Sequence, residues 1–279
     1  MLEGSYHVIE ARPDYLTCSA RDGDRADALE RMAYDAIGRA EEAGDRVKPR
    51  GLEGYKGQGT DHIWSLRGPT GVVTVWKGVE ADNNATTLAG LADHWSRFDL
   101  CVSGRPDTSD ANPADEYYAI GLADDVDSPR LPTITQTRRR WGGTTTYIGS
   151  RASAIFARCY DKHAQNPRDY PEPTWRWELE LKAFAAEAEH ARYLDHPKRF
   201  DEVIQCVGRQ FSSWSLPIPW EVDDDSRQWP QPPRRRTVDQ KAEWLAKYVR
   251  QSAALVARHY GRGYVLRLLE LDDDSMKEG

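Results

Sequence analysis

The octapeptide TTTYIGSR, residues 144–151, places a single tyrosine in an alternating stretch that ends on Gly-Ser-Arg. Successive side chains of an extended strand point to opposite faces. Thr145 and Tyr147 therefore share one face, and Thr146 and Ile148 the other. Three further stretches alternate in the same way. In TWRWELELK, Trp175, Trp177, Leu179 and Leu181 form an apolar face opposed by Arg176, Glu178, Glu180 and Lys182. In WSRFDLCVS, Phe98, Leu100 and Val102 oppose Arg97, Asp99 and Cys101, and in FARCYDK, Arg158, Tyr160 and Lys162 point together. Set side by side, these strands would offer one surface holding a tyrosine, carboxylates and cations.

Such a surface suits phosphoryl transfer. A phenol that attacks a phosphodiester in line keeps the phosphate as an ester and conserves the bond energy for rejoining. Carboxylates can hold a divalent ion that polarises the non-bridging oxygens. Guanidinium groups steady the extra negative charge of the transition state. On this reading Tyr147 is the nucleophile, Asp99 and Glu178 are metal ligands, and Arg151 and Arg158 clamp phosphate. A plainer reading stands beside it. Strand tyrosines commonly pack or hydrogen-bond, alternating Arg, Glu and Lys commonly make a solvated, salt-bridged face, and Asp99 after Arg97 could be a local ion pair. Spacing alone leaves both open.

The elements that must position these groups follow from periodicity. A first strand is predicted around Asp14 to Ser19. RADALERMAYDAIGRAEEAG reads as an amphipathic helix, with Ala28, Leu29, Met32, Ala36 and Ile37 near helical spacing and Gly44 as its stop. Gly-Pro-Thr-Gly joins strands around HIWSLRG and VVTVWKG into a hairpin. TTLAGLADHW reads as a short helix, and the acidic, proline-containing residues 103–133 as a loop. A helical portion begins near Ala183 with AFAAEAEHARYLDH and FDEVIQCVGRQF. LPIPWEVDDDSRQWPQPPRRR reads as a linker or extended arm, and Thr237 and Gln240 form a capping box that opens a last amphipathic helix. The predicted class is α+β: a largely antiparallel sheet with helices and a small C-terminal helical tail. The predicted division is 1–215, 216–236 for the linker, and 237–279 for the tail.

Composition narrows the function classes. The chain has 279 residues and a net charge of −7, yet Ile134 to Lys182 holds nine Lys/Arg against five Asp/Glu, and Arg234 to Arg267 nine against two. Acidic loops beside basic working segments are compatible with DNA binding. No apolar run approaches a membrane span, and the first residues lack the charged and apolar regions of a signal peptide. Cys18, Cys101, Cys159 and Cys206 lie far apart with no CxxC pair, which points to reduced, buried thiols in a cytoplasmic protein. The histidines include no H-x-H pair and no H-E-x-x-H zinc motif, and GYKGQGT lacks the P-loop order. His259, Tyr260 and Arg262 imitate a tyrosine recombinase only faintly and read as a basic helix end.

The run TTTYIGSRASAIFARCYDK, followed by RWELELK, resembles the core signature of the replication initiation factor family. That family contains the Rep proteins of staphylococcal rolling-circle plasmids of the trans-acting class, related phage initiators, and relaxases of some integrative conjugative elements. DYLTCS at 14–19 resembles its opening D-W/Y-L-T strand, GYKGQG at 54–59 its tyrosine-glycine turn, and SRFDLCVS at 96–103 its T-R-I-D-x-A-x-D strand. The pieces fall in the right order over residues 10 to 215. The resemblance implies one curved antiparallel sheet carrying the site of a nickase and strand transferase dependent on Mg²⁺ or Mn²⁺. Tyr147 would take the 5′ phosphate and leave a free 3′-OH, with Asp99 and Glu178 near the metal. Arg151, Arg158 and Lys162 match basic motif positions. The implied partners are origin or transfer-site DNA, as a hairpin or single-stranded nick site, and a separate host superfamily-1 helicase; a homodimer is compatible with it. Two features depart from the pattern. Ser103 stands where a second aspartate is expected, so that, if this position is a metal ligand, the chain must recruit Glu180 or Asp161 or bind metal weakly, and the chain is acidic overall. These departures keep two other classes in view, a non-catalytic DNA-binding regulator on the same fold and an interaction protein whose acidic loops bind a basic partner.

Overall fold

Alternating strands dominate the structure, a computed structural model that describes residues 6–21, 23–52, 54–107, 111–123, 131–138, 143–195, 200–222 and 257–258. Its first half contains β1 (Tyr6–Ala20), α1 (Gly23–Glu42), β2 (Lys48–Leu52), β3 (Tyr55–Gly59), β4 (Ile63–Gly68), β5 (Gly71–Lys77), α2 (Val79–Leu91) and β6 (His94–Pro106). Then come α3 (Pro113–Ala123), β7 (Ile134–Arg138), β8 (Thr144–Ile148), β9 (Ile155–Asp161), α4 (Lys162–Gln165), β10 (Trp175–Lys182), α5 (Phe184–Asp195) and α6 (Phe200–Ser213). The strands form one sheet in the order β2-β3-β4-β5-β1-β6-β10-β9-β8-β7, with every pair antiparallel. The α+β class is as predicted. The condition on which the shared polar surface depends is also met, because β6, β10, β9 and β8 are consecutive neighbours.

One face of the sheet is apolar. Leu16, Phe98, Leu100, Val102, Trp177, Leu179 and Leu181 are all fully buried there, against residues of α1, α2, α3, α5 and α6. Each such side chain contributes roughly 1.5–3 kcal/mol by leaving water. In α1 the buried positions Ala26, Leu29, Ala33, Ala36 and Ile37 recur at helical spacing and give the helix one inward stripe. The opposite face carries the charged positions.

Several elements differ from expectation. β1 starts at Tyr6, well before Asp14, and its ladder with β6 slips between Val8 and Glu10 and again between Pro13 and Tyr15. Such bulges admit an extra residue and re-aim side chains. They also explain a proline inside a central strand, since β5 pairs with β1 only from Tyr15 onward. GYKGQG is largely strand β3 and not a turn. Its glycines serve close approach: a Cβ on Gly57 would lie 1.8 Å from the Ser65 carbonyl oxygen on β4. The segment predicted as a loop contains the end of β6 and all of α3. Gly149, by contrast, turns the chain after TTTYI, with φ of +87°.

The chain forms two compact units, Met1–Pro230 and Gln231–Gly279. Within the first, Leu216 is buried and Ile218 and Trp220 pack on the core; the Trp220 ring meets Trp177 edge-on at 5.2 Å. Residues 223–236 of the predicted linker, the capping box at 237–240 and all of the predicted tail except residues 257–258 lie outside the described residues. The four cysteines are buried. No helix among the described residues is long and apolar enough to cross a membrane.

Candidate active site on the polar face of the sheet

Strand register sets the candidate residues in rows. Tyr147 on β8 lies opposite Arg158 on β9, which lies opposite Glu178 on β10, then Cys101 on β6 and Arg12 on β1. The adjacent row runs Thr145, Tyr160, Arg176, Ser103, Glu10. On the other side run Phe156, Glu180, Asp99 and Tyr15. Two strand spacings, ~9.6 Å, separate the backbones at Tyr147 and Glu178.

Each predicted carboxylate ligand has a cationic partner. Asp99, fully buried, accepts from Arg97 Nε at 2.8 Å and Nη2 at 2.5 Å, so the local ion pair foreseen for these two residues forms. Burial, reinforced by Glu178 and Glu180, pushes the Asp99 carboxyl up to about 7 against the pull of Arg97. Glu178, also buried, accepts from Arg158 Nε at 2.9 Å and from Arg158 Nη2. Burial works to raise Glu178, but Arg158, with Arg176 and a hydrogen bond from Tyr160, outweighs it and holds the group below its ordinary value. Glu180 meets Arg97 at 2.8 Å and Lys182 at 2.5 Å.

A second charged network on β1 lay outside the sequence reading. Glu10 accepts from Arg12 Nε at 2.5 Å, Ser103 Oγ at 2.9 Å and the Tyr170 hydroxyl at 2.9 Å, and it pairs with Arg176. Arg176, 1% exposed, also donates to Ser103 Oγ at 2.9 Å and to Asp14 at 3.4 Å. Burial opposes ionisation of Glu10, yet Arg176 and Arg12 bring its carboxyl down to about 2. Ser103 thus supplies no carboxylate itself, and Glu10, its partner across the ladder, brings one to the same place. The bulge at Asp14 turns both Asp14 and Tyr15 toward this face, where Arg97 lies 4.1 Å from the Tyr15 ring centre. Of these groups, Asp14, Tyr15, Arg97, Asp99, Arg176 and Glu178 line a groove of ≈ 580 Å³ that also includes Lys77, Lys162 and Tyr170. The alternation Glu10, Arg12, Asp14 signalled this network, but Pro13 masked the strand that carries it.

Of the predicted residues, the structure brings Asp99, Glu178, Glu180 and Arg158 into contact with one another or with shared partners. Lys162 lines the groove, its ammonium held below the ordinary lysine range by burial and by Arg176. Tyr147 stands between Thr135 and Arg158 in its row, outside the groove lining. Its ring stacks on Phe156 at 5.9 Å with Arg151 5.6 Å from its centre, and its hydroxyl has no hydrogen-bond partner among the described residues. Asp161, the alternative ligand, instead caps α4 by accepting from Ala164 N at 2.8 Å.

No protein-family model matches the sequence, and no curated protein matches it. Among solved structures, the chain is similar to the rolling circle replication initiator protein from Geobacillus stearothermophilus, with a TM-score of 0.52 and 16% identity over 80% of this chain and 92% of that one. The two proteins share a fold. At that identity the likeness concerns architecture, and the chemistry must be argued from the residues on this sheet.

For a divalent metal, the donor type fits and the arrangement does not. Carboxylate oxygens are the hard ligands that Mg²⁺ and Mn²⁺ prefer, but both oxygens of Asp99 and both of Glu178 face guanidinium nitrogens. No group of three His, Cys, Asp or Glu side chains among the described residues is arranged to hold a metal.

Proposed function

We propose that this protein nicks DNA at a specific site and transfers the cut strand through a phosphotyrosine ester on Tyr147, as in starting rolling-circle replication or conjugative transfer. One observation carries the reading: Tyr147 stands in a single cross-strand row with Arg158 and Glu178, on the polar face of a sheet with the initiator fold. The Tyr147 oxygen would attack phosphorus in line while the bond from phosphorus to the 3′ oxygen breaks. The phenol loses a proton and the departing 3′ oxygen gains one. A 5′-phosphotyrosine and a free 3′-OH result, with neither water nor oxidant consumed.

The chain's own groups give this step its electrostatics. Arg151 over the Tyr147 ring and Arg158 beside it in the row would neutralise charge on the phosphoryl oxygens. Glu178 holds the Arg158 fork in place, and Lys162 and Arg176 would steady the flanking backbone from the groove. Tyr160 is a poorer nucleophile, because burial and nearby Glu178 raise its phenol well above the ordinary value. Origin or transfer-site DNA is the proposed substrate, a host helicase the separate partner for unwinding, and a homodimer a compatible assembly. Mg²⁺ or Mn²⁺ at Asp99, Glu178 and Glu180 would require the guanidinium forks to release them.

A second reading, a DNA-binding regulator that no longer cuts, is favoured by those closed carboxylates. One assay separates the two. Supercoiled plasmid bearing the cognate origin is incubated with wild type, Tyr147→Phe and Tyr160→Phe, with and without Mg²⁺. Wild type and Tyr160→Phe should form a covalent protein–DNA adduct that Tyr147→Phe cannot. An adduct that survives in Tyr147→Phe and vanishes in Tyr160→Phe moves the nucleophile to Tyr160, and wild type that binds without nicking supports the regulator.

A further inference from the structure

Beyond the groove, on the far side of α4, lies a separate cavity of ≈ 330 Å³ lined by Thr144, Thr145, Tyr160, Asp161 and Gln165, with Gly143 and Ala164. The short helix is the wall between them: Lys162 and Asn166 line the groove, Ala164 and Gln165 the cavity. Among the described residues, no lysine or arginine lines the cavity, and Asp161 does, so these walls disfavour a phosphate. They suit an uncharged, hydrogen-bonding heterocycle. Tyr160 contributes an aromatic ring, while the Thr144 and Thr145 hydroxyls make no hydrogen bond among the described residues. Gln165 has its carbonyl oxygen taken by Lys162 at 3.1 Å, which leaves its amide N–H groups to the cavity. Asp161 has one oxygen on Ala164 N and the other without a partner among the described residues.

The cavity is also correctly placed. Thr145 pairs with Tyr160 across the β8–β9 ladder and shares a strand face with Tyr147 two residues along, a rise of ~6.6 Å. That is the order of one nucleotide step along an extended single strand. We propose that this cavity takes a nucleobase of single-stranded DNA bearing an exocyclic amine, one nucleotide from the phosphate held at Tyr147. The free Asp161 oxygen accepts from the amine, as carboxylates do from cytosine N4; thymine, with a carbonyl there, is refused. This inference rests on the strand-transfer reading and adds to it a base preference at one position.

The test is fluorescence anisotropy of the full-length protein with labelled oligo(dC) and oligo(dT) of equal length, without Mg²⁺ and at one fixed salt concentration. Wild type should favour oligo(dC) by roughly five- to tenfold. Asp161→Asn keeps a cap for Ala164 but presents an amide N–H in place of an acceptor, so the preference should vanish or reverse. Thr145→Val, a milder change, should weaken oligo(dC) binding about threefold. Unchanged preference and affinity in both variants overturns the cavity's role while leaving strand transfer standing. Wild type that binds neither oligomer overturns the strand-transfer reading itself.

Discussion

Arg158 has two neighbours across the sheet, Tyr147 on one side and Glu178 on the other, and its fork is committed to Glu178. Arg158→Gln would leave a buried carboxylate without its counter-ion, a change that typically costs about 3 kcal/mol. Urea unfolding at neutral pH should show that loss. In the same variant the Glu178 oxygens are released, so added Mg²⁺ should raise the melting temperature more than it does in wild type. An equal Mg²⁺ response in both proteins would place the metal elsewhere. Residue types on single strands were legible from period-two alternation, which is why Tyr147, Asp99, Glu178 and Arg158 stand on one face as read. Their partners were not. Whether Asp99 faces Arg97 or a metal depends on rotamers, and whether Ser103 leaves a gap depends on Glu10, 93 residues away in the chain.

At the scale of elements, regular strands announced themselves, and irregular ones hid. The two bulges of β1 break its alternation, so only the part beyond Asp14 read as strand. Glycines at 57 and 59 disguised β3 as a turn because close approach and turning call for the same residue. The helix α3 was legible in retrospect: N-P-A-D-E is a cap, a proline in the first turn, and two acids at the positive helix end. Asn112 Oδ1 accepts from Asp115 N at 3.0 Å. Asn112→Ala should therefore cost about 1 kcal/mol, read as a lower urea midpoint with unchanged slope. α3 supplies Tyr117, whose hydroxyl donates to the Pro217 carbonyl at 2.7 Å and accepts from Trp177 Nε1 at 2.9 Å. Loosening its start therefore reaches the strand that carries Glu178.

Across the whole molecule the buried carboxylates pull stability in opposite directions with pH. Glu10 drops from 4.5 to about 2 on folding, so its contribution is complete above its unfolded value and lost as pH falls toward about 2. Asp99 rises from 3.8 to about 7, so the folded protein holds its proton more tightly, and stability declines as pH climbs through that window. Urea midpoints measured across this range should pass through a maximum at mildly acid pH. Asp99→Asn should remove the decline toward neutrality and leave the acid limb intact. The sheet order has a consequence of another kind. β10, the last strand of the sheet to leave the ribosome, lies between β6 and β9, both made earlier. A chain stopped before Trp175 holds two separate half-sheets, with Asp99 on one and Tyr147 on the other. Because such long-range pairing comes late in folding, no nascent fragment assembles the row of Tyr147, Arg158 and Glu178, which arises only once synthesis has passed Lys182.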